Sequence, residues 1–174
     1  EAIANSGVKQ IVTADPHAFN ALTHDYNGLP PVRHMCQYVR DQLEAGTLIF
    51  GGHVESDQVF TYHDPCYLGR TNGEYAAPRT LLGSIPGLTL REAELSRERS
   101  MCCGAGGGVR GAYAKNSIAM ARRRLEEAEE IGAEVVLTEC NSCVHNLANA
   151  KLRKQKFEIY NTTQFINRLM EEED

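Results

Sequence analysis

Apolar and polar positions along this chain alternate between two periods. Gln58–His63 is a β-rich run that stops at Asp64-Pro65, so it reads as a strand ended by a turn. Residues 72–82 read as a helix closed by Gly83 and Pro86, and 88–93 alternate like a strand. Residues 112–131 carry Ile118, Ala121, Leu125 and Ala128 at helical spacing, with Gly132 as the stop. A buried strand follows at 134–138, then a helix over 142–154 and a strand over 157–160. A last helix runs to Glu171, capped by Asn161 or Thr162. Strands alternating with helices predict an α/β fold with a mainly parallel sheet.

The pattern also repeats. Gly7–Leu22 aligns with Gly132–Leu147 at an offset of 125 residues, sharing Gly, Thr and Leu and the apolar strand positions. Gln37-Tyr38-Val39 matches Gln164-Phe165-Ile166 at an offset of 127. Each copy reads strand, helix, short strand, helix. The expected architecture is therefore a duplicated open, mainly parallel sheet with helices on both faces. One repeat is complete and the tail of a preceding one stands before it. Residues 1–50 are expected to be the C-terminal part of the first copy, and 51–174 the second, intact copy. On equal repeat lengths about 75 residues of the first copy lie outside the chain.

Composition narrows the class. Of 174 residues 42% are apolar and 24% charged, with no Trp, as in a globular domain. A net charge of −5 without a basic run argues against nucleic acid as partner. No apolar stretch reaches the ~20 residues of a membrane span. Six cysteines without a secretory signal favour a reducing compartment and metal or redox chemistry over disulfides.

Five of those cysteines form one pattern. Cys66 sits in His63-Asp64-Pro65-Cys66, Cys102-Cys103 open the run Cys102–Gly108, and Cys140 and Cys143 form a C-x-x-C pair. Thirty-five residues separate Cys66 from Cys102, and 36 separate Cys103 from Cys140. Ligands of open α/β sheets sit beyond the carboxyl ends of the strands. All three segments follow predicted strands at that edge. Cys143 lies in a first helical turn, which favours thiolate. Gly104–Gly108 lets backbone amides approach sulfur. Such thiol sets ligate iron–sulfur clusters, with zinc or thiol–disulfide chemistry as alternatives. A cubane needs four thiolates, so a fifth means an unusual cluster or one non-ligand.

The set C-x35-CC-x36-C-x2-C, with H-D-P-C-x-L-G-R before it and C-C-G-A-G-G-G in the middle, resembles the cysteine-rich CCG domain family. That family includes heterodisulfide reductase subunits, iron–sulfur subunits of glycolate and lactate oxidation, and membrane-linked iron–sulfur oxidoreductases. The resemblance implies a [4Fe-4S] cluster, cubane or noncubane, held by Cys66, Cys102, Cys103, Cys140 and Cys143. It implies an electron-transfer role between a flavoprotein or ferredoxin-like partner and a quinone or disulfide. Such a domain works beside other Fe–S or flavin subunits, in the cytoplasm or at the cytoplasmic face of a membrane complex. Direct disulfide reduction at the cluster is the alternative enzyme reading. A zinc-stabilised interaction module is the alternative of another class. Tyr67 stands where the family often has His, so no role of that histidine carries over.

Other residues weigh towards structural roles. Cys36 starts an amphipathic helix and reads as a small buried hydrophobe, with a place for it or His34 near the site between repeats as the sharper reading. Asp64-Pro65 marks a turn, so His63 and Asp64 read as structural before proton transfer. Asp15 stands where the second copy has Cys140, and Ala18 where it has Cys143. The first site is thus degenerate, and Asp15 reads as a helix cap before a ligand. The glycine run lacks the spacing of a nucleotide loop. Arg122-Arg123-Arg124, with the glutamates after them, reads as a solvated helix face.

Overall fold

The computed structural model describes residues 2–54 and 57–171. Its elements in chain order begin with α1 (Ala2–Asn5), β1 (Ile11–Thr13), α2 (Pro16–His24), β2 (Val32–His34) and α3 (Met35–Glu44). There follow β3 (Val59–Tyr62), a π-helical turn (Tyr67–Thr71), α4 (Ala76–Gly83), β4 (Thr89–Leu90) and a 3-10 turn (Arg97–Arg99). The chain continues with α5 (Val109–Ala112), α6 (Ala114–Glu130), β5 (Val135–Thr138), α7 (Asn141–Ala150), β6 (Glu158–Asn161) and α8 (Thr162–Glu171).

Every strand pairing is parallel, as the alternation of strands and helices predicts. β1 pairs with β2 in a two-stranded sheet, and the second sheet runs β4-β3-β5-β6. β5 lies inside that sheet and is buried at all four positions. Its side chains alternate between faces. Val135 and Leu137 join the core formed with Phe60, Tyr62, Leu81, Leu82, Phe165 and Leu169. Val136 joins the opposite core, with Ala121, Leu125, Ala128 and Leu147. Helices α3, α4 and α8 therefore cover one face, and α6 and α7 the other. A sheet covered on both faces needs continuously apolar central strands, which is why Val135-Val136-Leu137 shows no alternation.

Several predicted boundaries move. The strand expected over 88–93 pairs only at Thr89 and Leu90. Arg91 makes one more bond, its amide donating to the Phe60 carbonyl at 2.7 Å, before the chain turns away. The helix expected over 72–82 starts at Ala76 and is preceded by the π-helical turn. The helix expected over 112–131 is interrupted at Tyr113, whose φ of −135° is not helical. The helix expected over 142–154 stops at Ala150. The arginine run is a correction. Arg124 and Glu127 are buried against each other through a two-fold hydrogen-bonded ion pair, because that turn of α6 faces the sheet. Arg122, Arg123, Glu126, Glu129 and Glu130 are exposed, as expected, with Arg123 and Glu126 paired.

Candidate metal centre

The five patterned thiols arrive from three segments of backbone and meet in one pocket. Cys66 follows β3 after Asp64-Pro65 and leads into the π-helical turn, whose bond from the Thr71 amide to the Cys66 carbonyl is 3.1 Å. Cys102 and Cys103 follow the 3-10 turn. Cys140 precedes α7 with extended backbone, and Cys143 lies in the first turn of α7. Together they line a small pocket, walled also by His17, Tyr67 and Gly106. Cys103 and Cys143 sulfurs are 3.0 Å apart, and Cys66 and Cys102 sulfurs 3.9 Å. Both gaps exceed an S–S bond of about 2.05 Å, and the cysteines are free. Cys103, Cys140 and Cys143 are buried, while Cys66 and Cys102 are half-buried.

The Cys102-Cys103 loop is held by groups distant in sequence. Asn146 on α7, fully buried, donates its side-chain amide to the Cys103 carbonyl at 2.7 Å and to the Ser117 carbonyl at 3.3 Å. The Ser117 hydroxyl donates back to Asn146 Oδ1 at 3.2 Å. Gly104 turns with φ +82°, and its amide donates to Cys102 Sγ at 3.3 Å. A Cβ there would stand 2.8 Å from the Ser117 carbonyl oxygen, so this position needs glycine for both conformation and space. The strand side is anchored by Asp64. Its carboxylate takes a bidentate pair from Arg79 at 2.8 and 2.9 Å and the Arg97 amide at 2.8 Å. Arg79 in turn holds Glu92. Asp64 thus ties the segment before Cys66 to the segment before Cys102, the structural role expected of it.

The thiols do not titrate alike. The Cys102 thiol is pulled down to about 2, first by its hydrogen bond with Cys103 and then by that with Cys66. Cys140 is lowered to about 6 by its hydrogen bond with Cys143. The donors are raised in return: Cys103 to about 12 by Cys102, Cys66 by Cys102, and Cys143 by Cys103. Thiolate character thus falls on Cys102 and Cys140. The neighbouring sulfurs and burial raise Cys143 despite its place in the first turn of α7.

Two further groups face the thiols. His63 is buried, and a ring nitrogen lies within 4.8 Å of both Cys103 and Cys143 sulfurs. Its Nε2 has no hydrogen-bond partner, and burial lowers its pKa to about 4, so it is a neutral donor. His17 on α2 packs its ring 4.5 Å from that of Tyr67 and lines the pocket. Asp15, just before α2, caps it by accepting the His17 and Ala18 amides at 2.6 and 3.0 Å, as a helix cap should. Cys36 lies elsewhere, fully buried beside His34, whose Nδ1 is 3.2 Å from the sulfur. Sequence patterning does not single out Asn146, Ser117, Arg79, His17 or Glu139. Their partners lie far along the chain, and nothing local marks them.

Known proteins resemble this chain over most of its length. A subunit of the dihydromethanophenazine:CoB–CoM heterodisulfide reductase of Methanosarcina barkeri is 34% identical over 87% of this chain. A Bacillus subtilis protein named "Probable iron-sulfur-binding oxidoreductase FadF" is 35% identical over 85%. The EtfAB:quinone oxidoreductase of Syntrophomonas wolfei is 31% identical over 86%. The aligned part spans 38%, 21% and 22% of those proteins. The family model described as the cysteine-rich domain CCG matches residues 60–148, a span that includes all five pocket cysteines. The chain belongs to the CCG cysteine-rich domain family.

Proposed function

We propose that this chain is the iron–sulfur electron-transfer part of a larger oxidoreductase, its cluster held by Cys66, Cys102, Cys103, Cys140 and Cys143. The observation that carries the reading is the convergence of five free thiols on one pocket, three of them buried. The donor set fits: thiolates are the usual protein ligands of such clusters, and Cys102 and Cys140 are biased to that form. When bound, a cluster supplies one-electron chemistry at a potential tuned by hydrogen bonds to its sulfurs and by solvent exposure. The chain's residues set both. The Gly104 amide and the buried His63 are the hydrogen-bond donors at hand. The half-buried Cys66–Cys102 side is where a partner or substrate can approach. Asn146, Asp64 and Arg79 fix the loops, so little rearrangement accompanies a change of charge.

The relatives' names support a role between an electron-donating partner and a quinone or a disulfide. We read the cluster as the [4Fe-4S] type, with other Fe–S or flavin subunits as partners. Six free thiols suit a reducing compartment, and we place the domain in the cytoplasm or at the cytoplasmic face of a membrane complex. Among the described residues no helix is long and apolar enough to cross a membrane. We also read residues 1–50 as the tail of a first, degenerate repeat and 51–174 as the intact one. In support, β1-α2-β2-α3 has the element order of β5-α7-β6-α8, and Asp15 caps α2 where Cys140 precedes α7.

Single Cys→Ser changes test the ligand set. Loss of cluster absorbance and iron is expected at four or all five of the pocket positions, with retention at Cys36. Loss at Cys36 with retention at Cys66 overturns the assignment. Steady turnover of a disulfide by the isolated protein identifies a reductase. Electron relay without such turnover identifies a carrier.

A further inference from the structure

Outside the thiol pocket, one other place among the described residues gathers metal-ligating side chains. His34 ends β2 and caps α3, Cys36 lies in the first turn of α3, and Glu139 follows β5. Each offers one ligand atom, and these atoms lie within 4.8 Å of one another. All three residues are at most 1% exposed. Two of their polar atoms, His34 Nε2 and Glu139 Oε1, are buried with no hydrogen-bond partner.

Such groups are costly. A buried polar atom left unpaired has given up its water and gained nothing, and a charged one loses most, so each in a native interior calls for a reason. A divalent cation accounts for both unpaired atoms and for the convergence of three donors. One sulfur, one imidazole and one carboxylate form a mixed set that suits zinc and excludes the all-oxygen cations.

We propose that His34, Cys36 and Glu139 form a second, mononuclear zinc-class site at the seam between the two-stranded and four-stranded sheets. Zinc bonds of about 2.0–2.3 Å require these donors to draw in modestly, and three protein ligands leave a fourth position for water. Its place in the fold gives it a purpose. Glu139 is joined to Cys140, so an ion there fixes the start of α7, from which two pocket thiols project. It also staples β2 and α3 to the sheet that carries the other cysteines. The site does not rest on the redox role proposed for the five-cysteine pocket.

The test uses the protein in its natural sequence context, purified anaerobically with iron and zinc both supplied. Zinc content and the zinc K-edge absorption fine structure are read alongside iron. Expected is about one zinc per chain, with a shell of one sulfur and otherwise nitrogen or oxygen. Cys36→Ser and the near-isosteric Glu139→Gln should each lower bound zinc at least tenfold while the far-ultraviolet circular dichroism spectrum stays that of the wild type. That spectrum reports that each variant has folded. An absence of zinc, a shell of several sulfurs, which assigns the metal to the five-cysteine pocket, or zinc retention in both variants overturns the proposal.

Discussion

Gly104 shows how strongly a single position can govern the centre. Its φ of +82° and the 2.8 Å approach to the Ser117 carbonyl leave no room for a methyl group. Gly104→Ala should destabilise the fold by about 1–3 kcal/mol, from backbone strain and a displaced helix contact. It should also loosen Cys102 and Cys103 together. Denaturant midpoints and iron content should fall in parallel; a variant with full iron and unchanged stability would contradict this. Asp64 is the second such position. Replacing it with Asn removes the charge that Arg79 meets at 2.8 and 2.9 Å in a buried setting, a change expected to cost about 3 kcal/mol. The check is urea denaturation, with a shift below about 1 kcal/mol, the range of an exposed pair, as the contrary result. For His63 the expected effect is on redox potential. His63→Phe removes a neutral buried donor beside Cys103 and Cys143. At about 1 kcal/mol for a hydrogen bond, the midpoint potential should fall by on the order of 50 mV. Redox titration followed by EPR measures it; an unmoved or raised potential would show that His63 does not donate to the centre. At this scale the five thiols are legible in the sequence because cysteine is rare and chemically committed. Asn146 and Arg79 are not, because an amide or a guanidinium acquires its role only from partners far along the chain.

Among the elements, α7 matters most to the centre. It carries Cys143 and Asn146 and packs through fully buried Leu147 against Leu125 and Ala121 of α6. Leu147→Ala should cost about 2–5 kcal/mol through lost burial and a residual cavity. Because α7 also positions the thiols, iron retention should drop at temperatures where the wild type still holds it. Thermal scans that follow cluster absorbance and far-ultraviolet circular dichroism check the coupling. The two transitions are expected to coincide, and a cluster that outlives the helix signal would contradict the coupling. The type and order of these elements can be read from apolar periodicity. β5 and α6 are the clearest cases, since burial on a fixed face leaves a regular trace. The π-helical turn at Tyr67–Thr71 leaves none, because its bonds follow from the packing of Gly69 against the Tyr75 ring. β4 reads too long because an edge strand keeps its alternation after it has left the sheet. The break at Tyr113 is likewise local geometry inside an otherwise helical sequence.

In the whole molecule, residues before and within the four-stranded sheet come together at the strands' carboxyl edge. His17 from α2 closes the thiol pocket, and His34 and Cys36 meet Glu139 at the seam. The repeat read from the sequence does not foretell that His17 reaches the thiol pocket, since alignment reports likeness and not contact. The relatives extend well beyond this chain, and we read the acceptor and the donor as set by such surrounding parts. Whether five converging thiols hold an iron–sulfur cluster is tested most directly by iron, acid-labile sulfide and zinc analysis of anaerobically purified protein, read with EPR before and after oxidation. Expected are about four irons and matching sulfide per chain, a paramagnetic signal in one redox state, and loss of both in the Cys66→Ser and Cys103→Ser variants. Zinc at the five cysteines, with no iron and no signal in any redox state, would contradict the cluster.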